Sequence, residues 1–198
     1  MQTTSTHIVN MALARLGQPP IASLDEGSPA ANAAKLVYDT CRRNVLQAYL
    51  WSFASRVASL NRLLETPPDY RCAFQLPPDC LNVVRLRPAR SDEVSSARVS
   101  FSDALPFVVR GDRLYTDQES ATIEYTADVT EESRFEAHFT EAFVVRLASE
   151  LAMPVGAKGE LMLRFREEYE ATVRQAAARS QGQFYEECDD NPYLHARW

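Results

Sequence analysis

The spacing of the apolar residues changes twice along this chain, and that double change limits its possible folds more than any other feature. From Ser28 the run SPAANAAKLVYDTCRRNVLQAYLWSFASRVASL carries Ala33, Val37, Cys41, Val45 and Ala48 at spacings of three and four, with Lys35, Asp39, Arg42 and Arg43 mostly off that line. Such spacing predicts a helix with one apolar face. Ser28 supplies a side-chain oxygen for the open amides of the first turn, and Pro29 suits the first helical position. After Tyr49 the aromatic corner Leu50-Trp51-Ser52-Phe53 leads into an alternating pattern near Val57, and helical spacing returns near Thr130. The expected fold is therefore α+β: an antiparallel α-helical bundle, built from residues 1–57 and 129–181, that carries an inserted small antiparallel β domain at 58–128. Residues 182–198 are expected to form an extended C-terminal tail.

The other elements follow from local signals. A first helix starts among Thr3 to Thr6, carries Ile8, Met11, Ala12 and Leu16 on one side and closes at Gly17. Ile21 and Leu24 are expected to tuck back beneath it. In the β region Tyr70–Leu76 and Leu81–Leu86 read as strands separated by Pro77-Pro78-Asp79. Alternation there puts Val84 and Leu86 on one face and Arg85 and Arg87 on the other. Residues 88–103 are polar and serine-rich, and read as a loop. Phe107–Arg110, Gly111-Asp112 and Arg113–Tyr115 have the form of a hairpin, and Ala121–Thr126 of a further strand. Ser133 with Glu136 forms an expected capping box for a helix carrying Phe135, Phe139, Ala142, Phe143, Leu147 and Leu151. Pro154, Gly156 and Gly159 reverse the chain, and Leu161, Phe165, Tyr169, Val173 and Ala176 continue as the second arm of a helical hairpin to about Gln181.

Chemistry is scarce. The three histidines are scattered, and His138 has only Glu141 and Glu150 on its own helix, too few ligands for a metal site. No G-x-S-x-G elbow or phosphate loop occurs, because Gly156-Ala157-Lys158-Gly159 lacks the required spacing and a preceding strand. The four cysteines, Cys41, Cys72, Cys80 and Cys188, show no C-x-x-C pairing and are expected to be reduced thiols. Paired carboxylates such as Glu167-Glu168 and Asp189-Asp190 read as solvated surface. The sequence therefore predicts a protein without catalytic, cofactor-binding or metal-binding residues. With no long apolar run and no signal-peptide pattern at MQTTSTHIVN, it is expected to be neither membrane-spanning nor secreted. A formal net charge of −6 opposes broad phosphate contact. The alternative, a nucleic-acid-binding module, would use the Arg85, Arg87 and Arg90 face together with Arg56, Arg62 or Arg71.

Ala12-Leu13-Ala14-Arg15-Leu16-Gly17-Gln18-Pro19-Pro20-Ile21, the acidic turn after it, Trp51-Ser52-Phe53-Ala54 at the end of the long helix, and Leu76-Pro77-Pro78-Asp79 stand in an order that resembles the tail tubular protein A family. These are the head-to-tail adaptors of short-tailed bacteriophages. The likeness runs from about Val9 to Gln181. It implies a structural virion protein of the tail or neck, assembled in the host cytoplasm, that forms a homo-oligomeric, dodecameric ring beneath the portal protein. It implies further that the ring extends the DNA channel used in ejection and presents a surface to the nozzle and tail fibres, with no membrane partner. DNA is expected to pass without sequence-specific binding. The acidic tail carries Phe184, Tyr185, Pro192, Tyr193, Leu194 and Trp198. These are the expected partner-binding residues, reaching to the portal or to a neighbouring subunit.

Overall fold

The computed structural model describes residues 4–65, 68–87 and 105–186, with the backbone alone for 179–186. The chain forms two compact units: a helical unit of the residues up to Tyr49 and from Phe135 onward, and a β unit spanning Leu50–Arg134.

In the helical unit, α1 (Ser5–Arg15) begins at Thr4, whose hydroxyl accepts the His7 amide at 3.2 Å. It ends as the sequence implies: Gly17 takes φ 68°, its N–H donates to Ala14 O, and the Gln18 N–H reaches Leu13 O at 3.0 Å. The buried face is Ile8, Val9, Ala12 and Leu13, while Met11, expected inside, is 38% exposed. A side chain the pattern did not single out fixes the following loop. Asn10 accepts the Ile21 N–H at 2.8 Å and donates to Ile21 O at 2.9 Å, which pins buried Ile21 against α1.

Helix α2 (Pro29–Ala48) starts as expected, with Ser28 Oγ accepting from Ala31 N at 3.2 Å. Its buried face is rotated from the expected stripe: Ala31, Ala34, Tyr38, Cys41, Arg42, Val45 and Leu46 face inward, and Ala48 is exposed. The bulk of Tyr38 decides this, since its ring meets Phe143 edge-on at 5.0 Å between centroids. Helix α3 (Ala137–Leu151) is the centre of the unit. It packs on α1, α2 and α4, and buries Phe139, Ala142, Phe143, Val144, Val145, Leu147, Ala148 and Leu151.

The expected capping box does not form. Ser133 lies in a 3-10 turn, Glu132–Arg134, closed by Arg134 N–H to Glu131 O, so its hydroxyl precedes the helix by a full turn. Glu136 is instead the residue at which the helix begins, without a side-chain cap. Phe135, just outside the helix, packs its ring at a tilt against Phe139, 4.7 Å between centroids, and sets the entry angle in place of the cap.

Gly156 (φ 76°) turns the chain into α4 (Gly159–Glu186), which buries Phe165 and is tied to α1 by the Arg15–Glu168 ion pair. The expected start of an extended tail at Gly182 is corrected, because α4 continues to Glu186. A single glycine costs a helix only about 1 kcal/mol relative to alanine, and Gln181 and Gln183 on either side are good helix formers.

The β unit opens with Trp51, 2% exposed, and a 3-10 turn at Ser52–Ala54. Its strands are β1 (Ser55–Ser59), β2 (Cys72–Gln75), β3 (Cys80–Arg87), β4 (Val108–Arg110), β5 (Arg113–Thr116) and β6 (Thr122–Ala127). They form two three-stranded antiparallel sheets, ordered β1-β6-β3 and β2-β5-β4. Gly111-Asp112 makes the two-residue hairpin turn between β4 and β5, with Gly111 at φ 64°. Phe74, Leu86, Leu114 and Ile123 are fully buried in this unit.

Candidate functional site

Strand pairing determines what the arginines of the β unit can reach. The β3–β6 register sets Arg85 opposite Glu124, and Arg85 Nε donates to Glu124 Oε2 at 2.6 Å. Arg87 Nη2 reaches the same oxygen at 3.3 Å, and the Ser55 hydroxyl donates to Oε1 at 3.3 Å. Burial alone would push the Glu124 carboxyl upward, yet the hydrogen bonds and charge of Arg85, then of Arg87, outweigh it and hold the group below the usual carboxylate range. The expected alternation survives in part. Leu86 is fully buried, but the register slips between Val83 and Arg85, and Val84 is only half-buried.

The other arginines are engaged as well. Arg56 Nη1 donates to Asp79 Oδ2 at 2.6 Å, while Asp79 Oδ1 accepts the Tyr125 hydroxyl at 3.1 Å. Arg62 pairs through its backbone with Phe74, and the Arg71 amide donates to Asp117 Oδ1 at 3.0 Å. Arg90 lies outside the described residues. The structure therefore commits the guanidinium groups of Arg56, Arg85 and Arg87 to internal ion pairs, whereas the contacts of Arg62 and Arg71 named here are made by the main chain.

Two charged features inside the helical unit escaped sequence reasoning. Arg42 is buried on the inward face of α2 beside Cys41. Arg146, on α3, donates to Glu150 Oε1 at 2.8 Å and lies 5.7 Å from the Tyr169 ring centroid on α4. Burial raises the Cys41 thiol to about 11, with Arg146 pulling weakly the other way. Such a thiol is no nucleophile near neutral pH. The one hint in the sequence was the i, i+4 spacing of Arg146 and Glu150. Burial of Arg42 had none, because its position relative to the apolar stripe depends on how Tyr38 packs.

His138 and Glu150, offered together by the sequence, are not brought together. Twelve residues of helix set them about 18 Å apart along α3, and Glu150 is taken by Arg146. Among the described residues no group of three or more His, Cys, Asp or Glu side chains could hold a metal ion, and no helix is long and apolar enough to cross a membrane. Phe184 and Tyr185 lie on the backbone of the last turns of α4, and Pro192, Tyr193, Leu194 and Trp198 lie outside the described residues.

No curated protein matches this sequence. The family model described as tail tubular protein matches residues 7–132, a stretch that begins in α1 and runs through all six strands. The match covers more than half of the 198 residues and includes the resembling segments from Ala12 to Asp79, so the chain belongs to the tail tubular protein family and is a phage structural protein related to the tail tube.

Proposed function

We propose that this chain is a head-to-tail adaptor: one subunit of a ring, dodecameric by its family resemblance, that joins the portal to the tail nozzle and extends the DNA channel without catalysing a reaction. The observation that carries this reading is the extent of the family match. It runs from within α1 through α2 and the entire β insertion, so it follows the architecture of the chain and not one motif. Two further observations support it. The net charge is −6, and Arg56, Arg85 and Arg87 spend their charge on Asp79 and Glu124, which suits a wall that DNA slides past without being gripped. The same pairing counts against a nucleic-acid-binding module built on Arg85, Arg87 and Arg90.

In this reading Phe184 and Tyr185, with Pro192, Tyr193, Leu194 and Trp198 beyond α4, anchor the subunit on the portal or on its neighbour. The test is electron microscopy of the purified protein mixed with the portal of the same phage. The expected outcome is a closed ring seated coaxially on the portal. A protein that stays unassembled, or that binds DNA tightly with a steep salt dependence instead, would overturn the adaptor reading.

A further inference from the structure

The two sheets of the β unit have four edges between them, and described residues of the chain cover two. Along β2, the Leu63 N–H donates to Ala73 O at 2.8 Å and the Gln75 N–H to Asn61 O at 3.1 Å, so residues 61–63 lie on that edge. Beside β3, Leu105 forms a bridge with Leu86. The outer edges of β1 and β4 have no such cover among the described residues.

Ladder parity identifies the open groups. The Leu60 N–H donates to Ala121 O at 2.8 Å in the same register that pairs β1 with β6. Hydrogen-bonded and non-bonded pairs alternate along an antiparallel ladder, so Ala58 and Arg56 address β6 while Val57 and Ser59 turn N–H and C=O outward. In the β4–β5 hairpin Arg110 and Arg113 flank the two-residue turn and form its bonded pair, which turns the backbone groups of Val109 outward. Val57 is 52% and Val109 41% exposed. Strand β1 lacks the usual guards of a free edge: it has no proline, lysine or bulge, and Arg56 is drawn to Asp79. Strand β4 is three residues long, enough for a single short stretch of pairing.

We propose that the β1 edge of one subunit pairs with the β4 edge of the next, so that sheet structure continues from subunit to subunit around the ring. The inference rests on the ring reading above. Its occupant, a second copy of this chain, follows from closure. An edge that pairs with its own copy joins two subunits and stops, whereas contact between two different surfaces repeats, and closes a ring when the rotation from one subunit to the next divides a full turn. That contact needs two different open edges, and among the described residues β1 and β4 provide them in different sheets. The arginine on each strand is already neutralised within its subunit, Arg56 by Asp79 at 2.6 Å and Arg110 by Asp69 at 3.6 Å, so the two basic edges do not repel.

Amide hydrogen exchange of the assembled ring against the free subunit tests this directly. The Val57, Ser59 and Val109 amides slow by about tenfold or more in the ring, the effect of one added backbone hydrogen bond at each. The Ala58 amide, already bonded to β6, gains no such extra protection. As a second test, Val57→Pro and Val109→Pro each remove an outward N–H that the subunit does not use, as an edge strand tolerates. Both variants keep the wild-type melting temperature and fail to close rings, whereas Val57→Thr, which retains the N–H, closes them. A ring in which the Val57 and Val109 amides exchange as in the subunit overturns the edge pairing and leaves the adaptor reading intact. So does Val109→Pro assembling normally while Val57→Pro does not, because β1 then engages a surface other than β4. Absence of any wild-type ring on the portal removes both.

Discussion

Glu124 receives three donors from three directions: Arg85 from the strand opposite, Arg87 one pleat further along, and the Ser55 hydroxyl from β1. Removing its charge takes away the carboxylate that both part-buried guanidinium groups reach. Glu124→Gln is therefore expected to cost about 1.5–3 kcal/mol, the range for hydrogen bonds to charged groups, measured by urea unfolding at neutral pH. The pH dependence has a definite sign. The folded carboxyl titrates lower than the unfolded one, so its contribution is fully present above the unfolded value of about 4.3 and disappears as pH falls through the folded value. The gap between wild type and Glu124→Gln should accordingly narrow below about pH 4, and a gap that stays constant into acid would show that the amide merely packs badly. The alternation of Arg85, Leu86 and Arg87 made the two faces of β3 legible in the sequence. The partner was not, because Glu124 lies on a strand whose register with β3 only the folded sheet fixes.

Among the elements, the corner that leaves α2 and the loop that leaves α1 are held in different ways, and each has its own prediction. Trp51 is buried where the helix hands over to the β unit, so Trp51→Ala is expected to cost about 3–5 kcal/mol, the range for deleting a large buried aromatic, by chemical denaturation. A loss under about 1 kcal/mol would mean that the corner collapses to fill the space. Asn10 replaces a turn of secondary structure with one side chain that satisfies both backbone groups of Ile21. Asn10→Ala is expected to cost about 1–3 kcal/mol, and to speed exchange of the Ile21 amide well before global unfolding. Helix starts and stops were readable wherever one residue carries the signal, as at Ser28, Pro29 and Gly17. They were misread where competing local signals overlap. Ser133 lies within a 3-10 turn, Phe135 provides the packing that positions α3, and Gly182 is carried through by its helical neighbours.

For the whole molecule, the helical unit is completed by two stretches of chain that the β unit separates in sequence. Among the described side chains of α4 the buried apolar one is Phe165, far upstream of the helix end. Deleting residues 184–198 is therefore expected to leave the melting temperature unchanged while abolishing attachment to the portal, scored by co-sedimentation. A destabilised subunit that still attaches would assign those residues to the subunit's own fold. What the sequence determined by itself was the class of structure: helical spacing, then alternation, then helical spacing again, because each period places apolar groups on a surface that only one kind of element can bury. It also determined the family, through short motifs whose order along the chain persists. The tertiary structure decided which flank of α2 turns inward, that Arg42 is buried, and that the arginines of β3 answer to Glu124 instead of facing solvent. Those outcomes depend on contacts between residues far apart in the chain, where the packing of one ring or the register of one strand sets the environment of every charge nearby, and no local period carries that information.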